Sequence, residues 1–201
     1  MSDAKKIMEM IKEHDITYVD LRFTDTRGKM QHVTQHIDTI DEDALNEGFM
    51  FDGSSIAGWK AINDSDMTLM PDLYRAYIDP FFAQPTLALF CDVLEPSSGE
   101  AYDRDPRGTA KAALAHIETL GIADTAFFGP EAEFFIFEDV KIDVSMNRGL
   151  YSVDSVEGPY NSARKYGEGN LGHRPGVKGG YFPVPPVDSG QDIRSEMVSV
   201  M

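Results

Sequence analysis

Apolar positions recur with helical spacing at Ala4, Ile7, Met8 and Ile11, which predicts a short amphipathic helix over residues 3–14. The period then changes. Val19, Leu21 and Phe23 alternate with Asp20 and Arg22, the two-residue repeat of a half-buried strand. The polar TDTRGK that follows contains Gly28 and predicts a turn into a second strand through His32 and Val33. DEDALNEG reads as a short helix ended by Gly48, and residues 86–93 read as a further strand.

Residues 95–108, EPSSGEAYDRDPRG, are polar and turn-rich and mark a domain boundary. A well-signalled helix follows, with Asp105 as cap, Pro106 at its first position and Gly121 as its stop. Ala110, Ala113, Leu114 and Ile117 give it an apolar face. Residues 125–137 are among the most aromatic in the chain and read as a buried strand, and residues 140–190 as hairpins and long loops. The last helix has Ser189 as its cap signal, with Asp192 three residues on. Its apolar positions Ile193, Met197, Val200 and Met201 keep helical period with no stop signal, which predicts a fragment; a frayed terminal helix is the alternative. The whole reads as an α+β chain with one domain over residues 14–98 and a second over 106–201.

Composition narrows the function. With 42% hydrophobic and 26% charged residues, the chain is of the soluble globular class. A formal charge of −16 disfavours nucleic acid and anionic membrane surfaces as partners. No apolar run approaches the roughly 20 residues of a membrane span, and the first residues lack a signal-peptide core, so a cytoplasmic location is expected. The single cysteine, Cys91, lies within TLALFCDVL and reads as an inert core thiol. The sequon at Asn63 then carries no meaning.

Three stretches carry candidate chemistry. FFGPEAEFFIFE sets Glu131 and Glu133 among aromatic residues. In a strand they would share a face with Cα atoms roughly 6.6 Å apart. Two carboxylates about 7 Å apart repel by roughly 2.4 kcal/mol at an effective dielectric near 20, so a cation must meet them. Salt bridges to Lys or Arg would serve, and so would divalent metal, one carboxylate to each of two ions. The motif alone favours salt bridges. FDGSSIAGWKAINDSDMTLMPD places Asp52, Ser54 and Ser55 in a turn beside the only tryptophan, Trp59, with Asp64 and Asp66 behind. That is either a plain loop or a small polar binding loop with one exposed aromatic. The third stretch contains Gly167-x-Gly169-x-x-Gly172, which lacks the strand before and helix after that a dinucleotide fingerprint needs. Pro183-x-x-Pro186 reads as a rigid loop rather than a polyproline ligand, and DEDALNEG fails the calcium-loop pattern at Leu45.

Taken in order, FDGSSIAGWK…DSDMTLMPD, FFGPEAEFFIF and GHRPGVKGGYFPVPPVDSGQDIRSEM closely resemble bacterial type I glutamine synthetase. VDLRFTDTRGK and YDRDPRG match as well, so the resemblance covers essentially the whole chain. It implies an N-terminal β-grasp domain followed by the start of a catalytic domain built on an antiparallel sheet. It also implies ATP-dependent ligation of ammonia to glutamate through a phosphorylated side-chain carboxylate. Cofactors would be Mg2+ or Mn2+, two or more ions per site, with ATP as co-substrate. By the same resemblance Glu131 and Glu133 are metal ligands, and Asp52 binds ammonium and takes its proton. Ser55, Trp59 and Asp66 would shape the wall around Asp52, and Tyr181 would lie on a loop closing near the substrates. The family assembly is a dodecamer of two hexameric rings with active sites between subunits. The family chain continues well past Met201 with the other metal ligands, the nucleotide-binding residues and most glutamate-binding residues, so the 201 residues alone are expected to be inactive. A ligase joining glutamate to a polyamine shares the fold, but DGSS and KGGYFPVPPVDS favour the synthetase. A non-catalytic acidic binding module is the remaining class.

Overall fold

The structure, a computed structural model, describes residues 3–162 and 174–201. Its contacts divide the chain into two units, Met1–Phe127 and Phe128–Met201. The first unit begins with α1 (Asp3–Glu13), whose helical stripe buries Ala4, Ile7 and Ile11. β1 (Tyr18–Thr24) and β2 (Met30–His36) pair antiparallel, with Tyr18 opposite His36. Asp25 closes the turn between them by accepting the Arg27 and Lys29 backbone N–H groups at 2.9 and 3.0 Å. α2 (Glu42–Glu47) is capped by Asp41, which accepts Ala44 N–H at 2.8 Å. Gly48 ends it at φ 86°, and a Cβ there would come within 2.6 Å of Thr68 Cγ2.

Four more strands complete the unit: β3 (Phe49–Asp52), β4 (Asp66–Pro71), β5 (Tyr77–Ile78) and β6 (Thr86–Leu94). The sheet order is β2-β1-β6-β4-β3, with β5 also on β6. β1 and β6 run parallel at its centre, Tyr18 beside Thr86, and the other pairs are antiparallel. Val19, Leu21, Met67, Leu69, Leu87, Leu89 and Val93 of these strands are fully buried in one core, onto which α1 packs. β3 and β4 are strands where the sequence suggested only a polar turn.

Asp20 alternates with that core, so it leaves the opposite face of β1. It is nonetheless buried, accepting from Arg22 Nε at 2.7 Å and Thr34 Oγ1 at 2.7 Å and bonding His32 Nδ1 at 2.6 Å. Burial pushes its pKa up, and the bonds from Arg22, Thr34 and His32 outweigh that and hold it below the ordinary carboxylate value. Cys91 is buried, and burial pushes its thiol up to about 12, which leaves it inert.

α3 (Pro106–Thr119) starts as its signals require. Asp105, with no exposed surface, accepts Arg107 and Gly108 N–H at 3.0 and 3.1 Å. It also accepts Val93 N–H of β6 at 3.2 Å, so one carboxylate both caps the helix and ties it to the sheet. Arg107 reinforces the tie through Asp92 at 2.7 Å and an ion pair with Asp72. The expected apolar face of α3 stays open: no residue of this helix is buried, and Leu114 is 43% exposed.

In the second unit, β7 (Asp139–Ser145) and β8 (Arg148–Asp154) form an antiparallel hairpin, and α4 (Gln191–Val200) follows. Two expectations are corrected here. The aromatic segment 125–137 is not a buried strand: it joins no ladder, and Phe128 and Phe135 are 86% and 84% exposed. A strand must hydrogen-bond its backbone to a neighbour, and among the described residues none pairs with this segment. Ser189 does not cap α4. Gly190 occupies that position without a side-chain bond, and the Ser189 hydroxyl donates to Glu157 instead. Residues 167–172 lie outside the described residues. No helix among those described is long and apolar enough to cross a membrane.

Candidate functional site

In the first unit the candidate residues gather at the end of the β3–β4 hairpin. Asp52 and Asp66 are direct partners across the antiparallel pair, so their side chains leave the same face. Gly53–Ser55 form one turn of 3-10 helix, which Asp52 caps. Its Oδ1 accepts both the Ser54 N–H at 2.8 Å and the Ser54 hydroxyl at 2.6 Å. The Ser54 hydroxyl, then its N–H, with a further contribution from the Ser65 side chain, hold the exposed Asp52 carboxyl below the ordinary carboxylate value. The group therefore stays ionised near neutrality, which suits holding a cation.

The turn is seated by packing. Gly53 is buried, its N–H bonds the Ser65 carbonyl at 2.7 Å, and a Cβ on it would collide with the Met67 sulfur. Only glycine lets the backbone lie this close to β4. Sequence reasoning missed this seat, although the glycine between Asp52 and Ser54 and the alternation of Met67 with Leu69 were its signals.

Trp59 is a correction. It is not an exposed binding aromatic but is 6% exposed, with its ring 5.5 Å from Phe23, 6.2 Å from Phe51 and 5.3 Å from Tyr102. It anchors the loop from below, helped by Arg104, which donates to the Gly58 and Trp59 carbonyls. Lys60 pairs with Glu95 at 2.7 Å and fixes the loop further. Ser55 and Asp66 remain exposed.

The second unit contains an open cleft of about 970 Å³, lined among others by Glu133, Tyr160, Lys178, Tyr181, Asp188 and Arg194. Glu133 and Tyr181 thus share one cleft, whereas Glu131 is not part of its lining. Tyr181 is 86% exposed, its ring edge-on to Phe182 at 4.6 Å. Lys178 sits at φ 59°, a left-handed conformation uncommon for a side-chain-bearing residue. Arg194 of α4 pairs with Asp188, which also accepts Gly190 N–H at 3.0 Å; these bonds, the Arg194 side chain first, hold Asp188 below the ordinary carboxylate value.

Glu131 and Glu133 are exposed, and neither has an ion-pair partner among the described residues. Among the described residues, the salt bridges that would otherwise explain two nearby acids are not made. Carboxylate oxygen is the donor that Mg2+ and Mn2+ favour, so these two side chains fit such ions chemically. Among the described residues no three His, Cys, Asp or Glu side chains converge as a complete ligand set.

Comparison with known proteins identifies the pattern. Residues 15–96 match the family model described as the glutamine synthetase β-grasp domain, and residues 103–201 match the glutamine synthetase catalytic domain. A glutamine synthetase from Azospirillum brasilense is 65% identical over 201 residues, all of this chain and 43% of the relative. One from Rhizobium meliloti is 60% identical over the same span, and one from Salmonella typhimurium is 57% identical over 198 residues. The chain thus spans less than half the length of these curated relatives. In three dimensions the whole chain superposes on 40% of the Plasmodium falciparum glutamine synthetase determined by cryo-electron microscopy, with a TM-score of 0.79 at 23% identity. That likeness establishes the α+β fold.

Proposed function

Because the chain belongs to the glutamine synthetase family, we propose that it takes part in ATP-dependent ligation of ammonia to the side-chain carboxylate of glutamate. The products are glutamine, ADP and phosphate, formed by way of a γ-glutamyl phosphate. The observation that carries this reading is the match of both family domains, in order, over residues 15–96 and 103–201. Those matches support a division into a β-grasp domain at 14–98 and a catalytic portion at 106–201. α3 belongs to the catalytic match in sequence, yet Asp105 and Arg107 tie it to the β-grasp sheet.

Asp52 binds ammonium and accepts one of its protons, releasing the ammonia that attacks the acyl phosphate carbon and displaces phosphate. The depressed pKa of this carboxyl favours the first task, since only the ionised form attracts the cation. Ser55 and Asp66 border it on the same hairpin end. Glu131 and Glu133 would each hold one divalent ion, Mg2+ or Mn2+, which when bound neutralises charge on the transferring phosphoryl group. Their exposure, and the lack of ion-pair partners for them among the described residues, support that role. Tyr181 lines the same cleft as Glu133, and its loop would close near the substrates. The assembly is a homo-dodecamer of two hexameric rings, located in the cytoplasm, with each active site completed by Asp52 from a neighbouring subunit.

The experiment uses an extended chain in which residues 1–201 are continued by the remainder of the Azospirillum brasilense relative. It should form glutamine from ATP, glutamate and ammonia, and Asp52→Ala and Glu131→Ala should each nearly abolish this. Mixed oligomers of the two inactive variants should recover part of the activity, because some sites then receive Asp52 and Glu131 from different chains. Verified mixed oligomers with no recovery would show that Asp52 acts within its own chain or not at all.

A further inference from the structure

Asp52 receives two hydrogen bonds at one oxygen, and both come from Ser54. A backbone N–H alone would satisfy the cap, as serine and aspartate caps elsewhere show. The second donor has a different consequence. The N–H at 2.8 Å and the hydroxyl at 2.6 Å converge on Oδ1 and fix the rotation of the carboxylate about its own axis. Without them, the Ser65 side chain alone would restrain this exposed carboxylate.

Ser54 can do this because its own position is fixed. The turn that carries it is pinned through Gly53 to the Ser65 carbonyl and to Met67. Ile56 N–H bonds the Gly53 carbonyl at 3.2 Å, Trp59 N–H bonds the Ile56 carbonyl at 3.1 Å, and Trp59 is buried in the core. A continuous line of contacts thus runs from the core to one carboxylate oxygen. The charged group that faces Asp52 from the neighbouring strand is Asp66, its partner across the hairpin. A second acid opposite makes orientation matter more, since the rotation of the Asp52 carboxylate sets how its charge is presented beside that of Asp66.

We propose that Ser54 is a positioning residue for ammonium: its hydroxyl locks the Asp52 carboxylate in the one orientation that receives the cation. The inference rests on the role assigned to Asp52 above. It names a residue that acts on a small monovalent cation through another side chain and touches neither glutamate nor nucleotide. A charge-assisted hydrogen bond of this kind is among the stronger ones, so its loss should weaken use of ammonium by about tenfold.

The test has two arms. In the 201-residue chain, the side-chain carboxyl carbon of Asp52 is followed through a pH titration by nuclear magnetic resonance. Ser54→Ala should move its midpoint upward, because a donor to the ionised form is lost, and Ser54→Thr should restore it. In the extended chain, Ser54→Ala should raise the ammonium KM about tenfold with the KM for glutamate and ATP unchanged, and Ser54→Thr should rescue it. An unmoved Asp52 midpoint in a folded Ser54→Ala chain overturns the proposal, since the hydroxyl then does not bind the carboxylate. A moved midpoint with unchanged ammonium KM overturns it as well, provided Asp52→Asn raises that KM; the role of Asp52 would then stand without Ser54. If Asp52→Asn leaves ammonium use untouched, the assignment of Asp52 falls, and this inference with it.

Discussion

The two units of this chain are comparably rich in apolar side chains but put them to different ends. In the first, Val19, Leu21, Met67, Leu69, Leu87 and Leu89 have no exposed surface. In the second, Phe128, Phe135, Ile142 and Val144 are 86%, 84%, 72% and 76% exposed. Hydrophobicity does not make the difference. In the first unit every strand has a neighbour and the sheet has α1 against one face, so burial and backbone pairing are satisfied together. In the second, the hairpin β7–β8 pairs only with itself among the described residues, and two strands without an opposing layer are marginal. An apolar segment becomes core only when the chain also supplies what covers it.

The largest break of this comparison is to separate the units. Residues 1–121 expressed alone should unfold cooperatively in urea, whereas residues 124–201 alone should show no cooperative transition and should bind a hydrophobic dye. In the intact chain, amide hydrogens of β1 and β6 should exchange at least about a thousandfold more slowly than those of β7 and β8. Comparable protection in both would refute the contrast.

Next in size is a pair of truncations. Leu21→Ala, in the core, should cost about 2–5 kcal/mol in urea unfolding. Ile142→Ala, on the open hairpin, should stay within about 0.5 kcal/mol. Equal losses would mean that the hairpin is covered in solution.

Asp105→Ala should come third, at about 1–2 kcal/mol, because it removes a helix cap. It should also loosen α3 from β6, seen as faster exchange at Val93, whose N–H it accepts. Unchanged exchange there would separate the cap from the tie.

The smallest effect sharpens the first unit alone. Asp20 has a depressed pKa in the folded chain, so its contribution is fully present above its unfolded value, near 3.9, and is lost as pH falls through the folded value. The urea midpoint should therefore drop on acidification below about pH 4, and Asp20→Asn should shrink that drop. An identical acid profile in the variant would assign the loss to other carboxylates.

Much of the first unit was legible because its signals are local. The stripe of α1, the alternation of β1, the Asp105 cap and Gly48 each specify their own neighbourhood. β3 and β4 were not, since Asp52-Gly53-Ser54-Ser55 advertises a turn more strongly than the short FMFD and DMTLMP advertise strands. Trp59 was misread for a related reason. Polar neighbours in sequence suggested exposure, while the rings that bury it come from Phe51 on β3 and from Phe23 and Tyr102, far along the chain. The 125–137 segment shows the reverse failure: composition spelled a strand, but pairing is a property of two segments, and one segment cannot encode it alone.

The parallel contact at the centre of the first sheet also sets a clock. Tyr18 pairs with Thr86, so the inner edge of β1 has no partner until the chain has been made through β6. At a synthesis rate of about 5–20 residues per second, that edge stays open on the ribosome for roughly 3–14 s. The β1–β2 hairpin can form in microseconds within that window, guarding one side of the strand. The other edge, a row of unpaired N–H and C=O groups next to the apolar Val19 and Leu21, is where a nascent-chain chaperone has time to act.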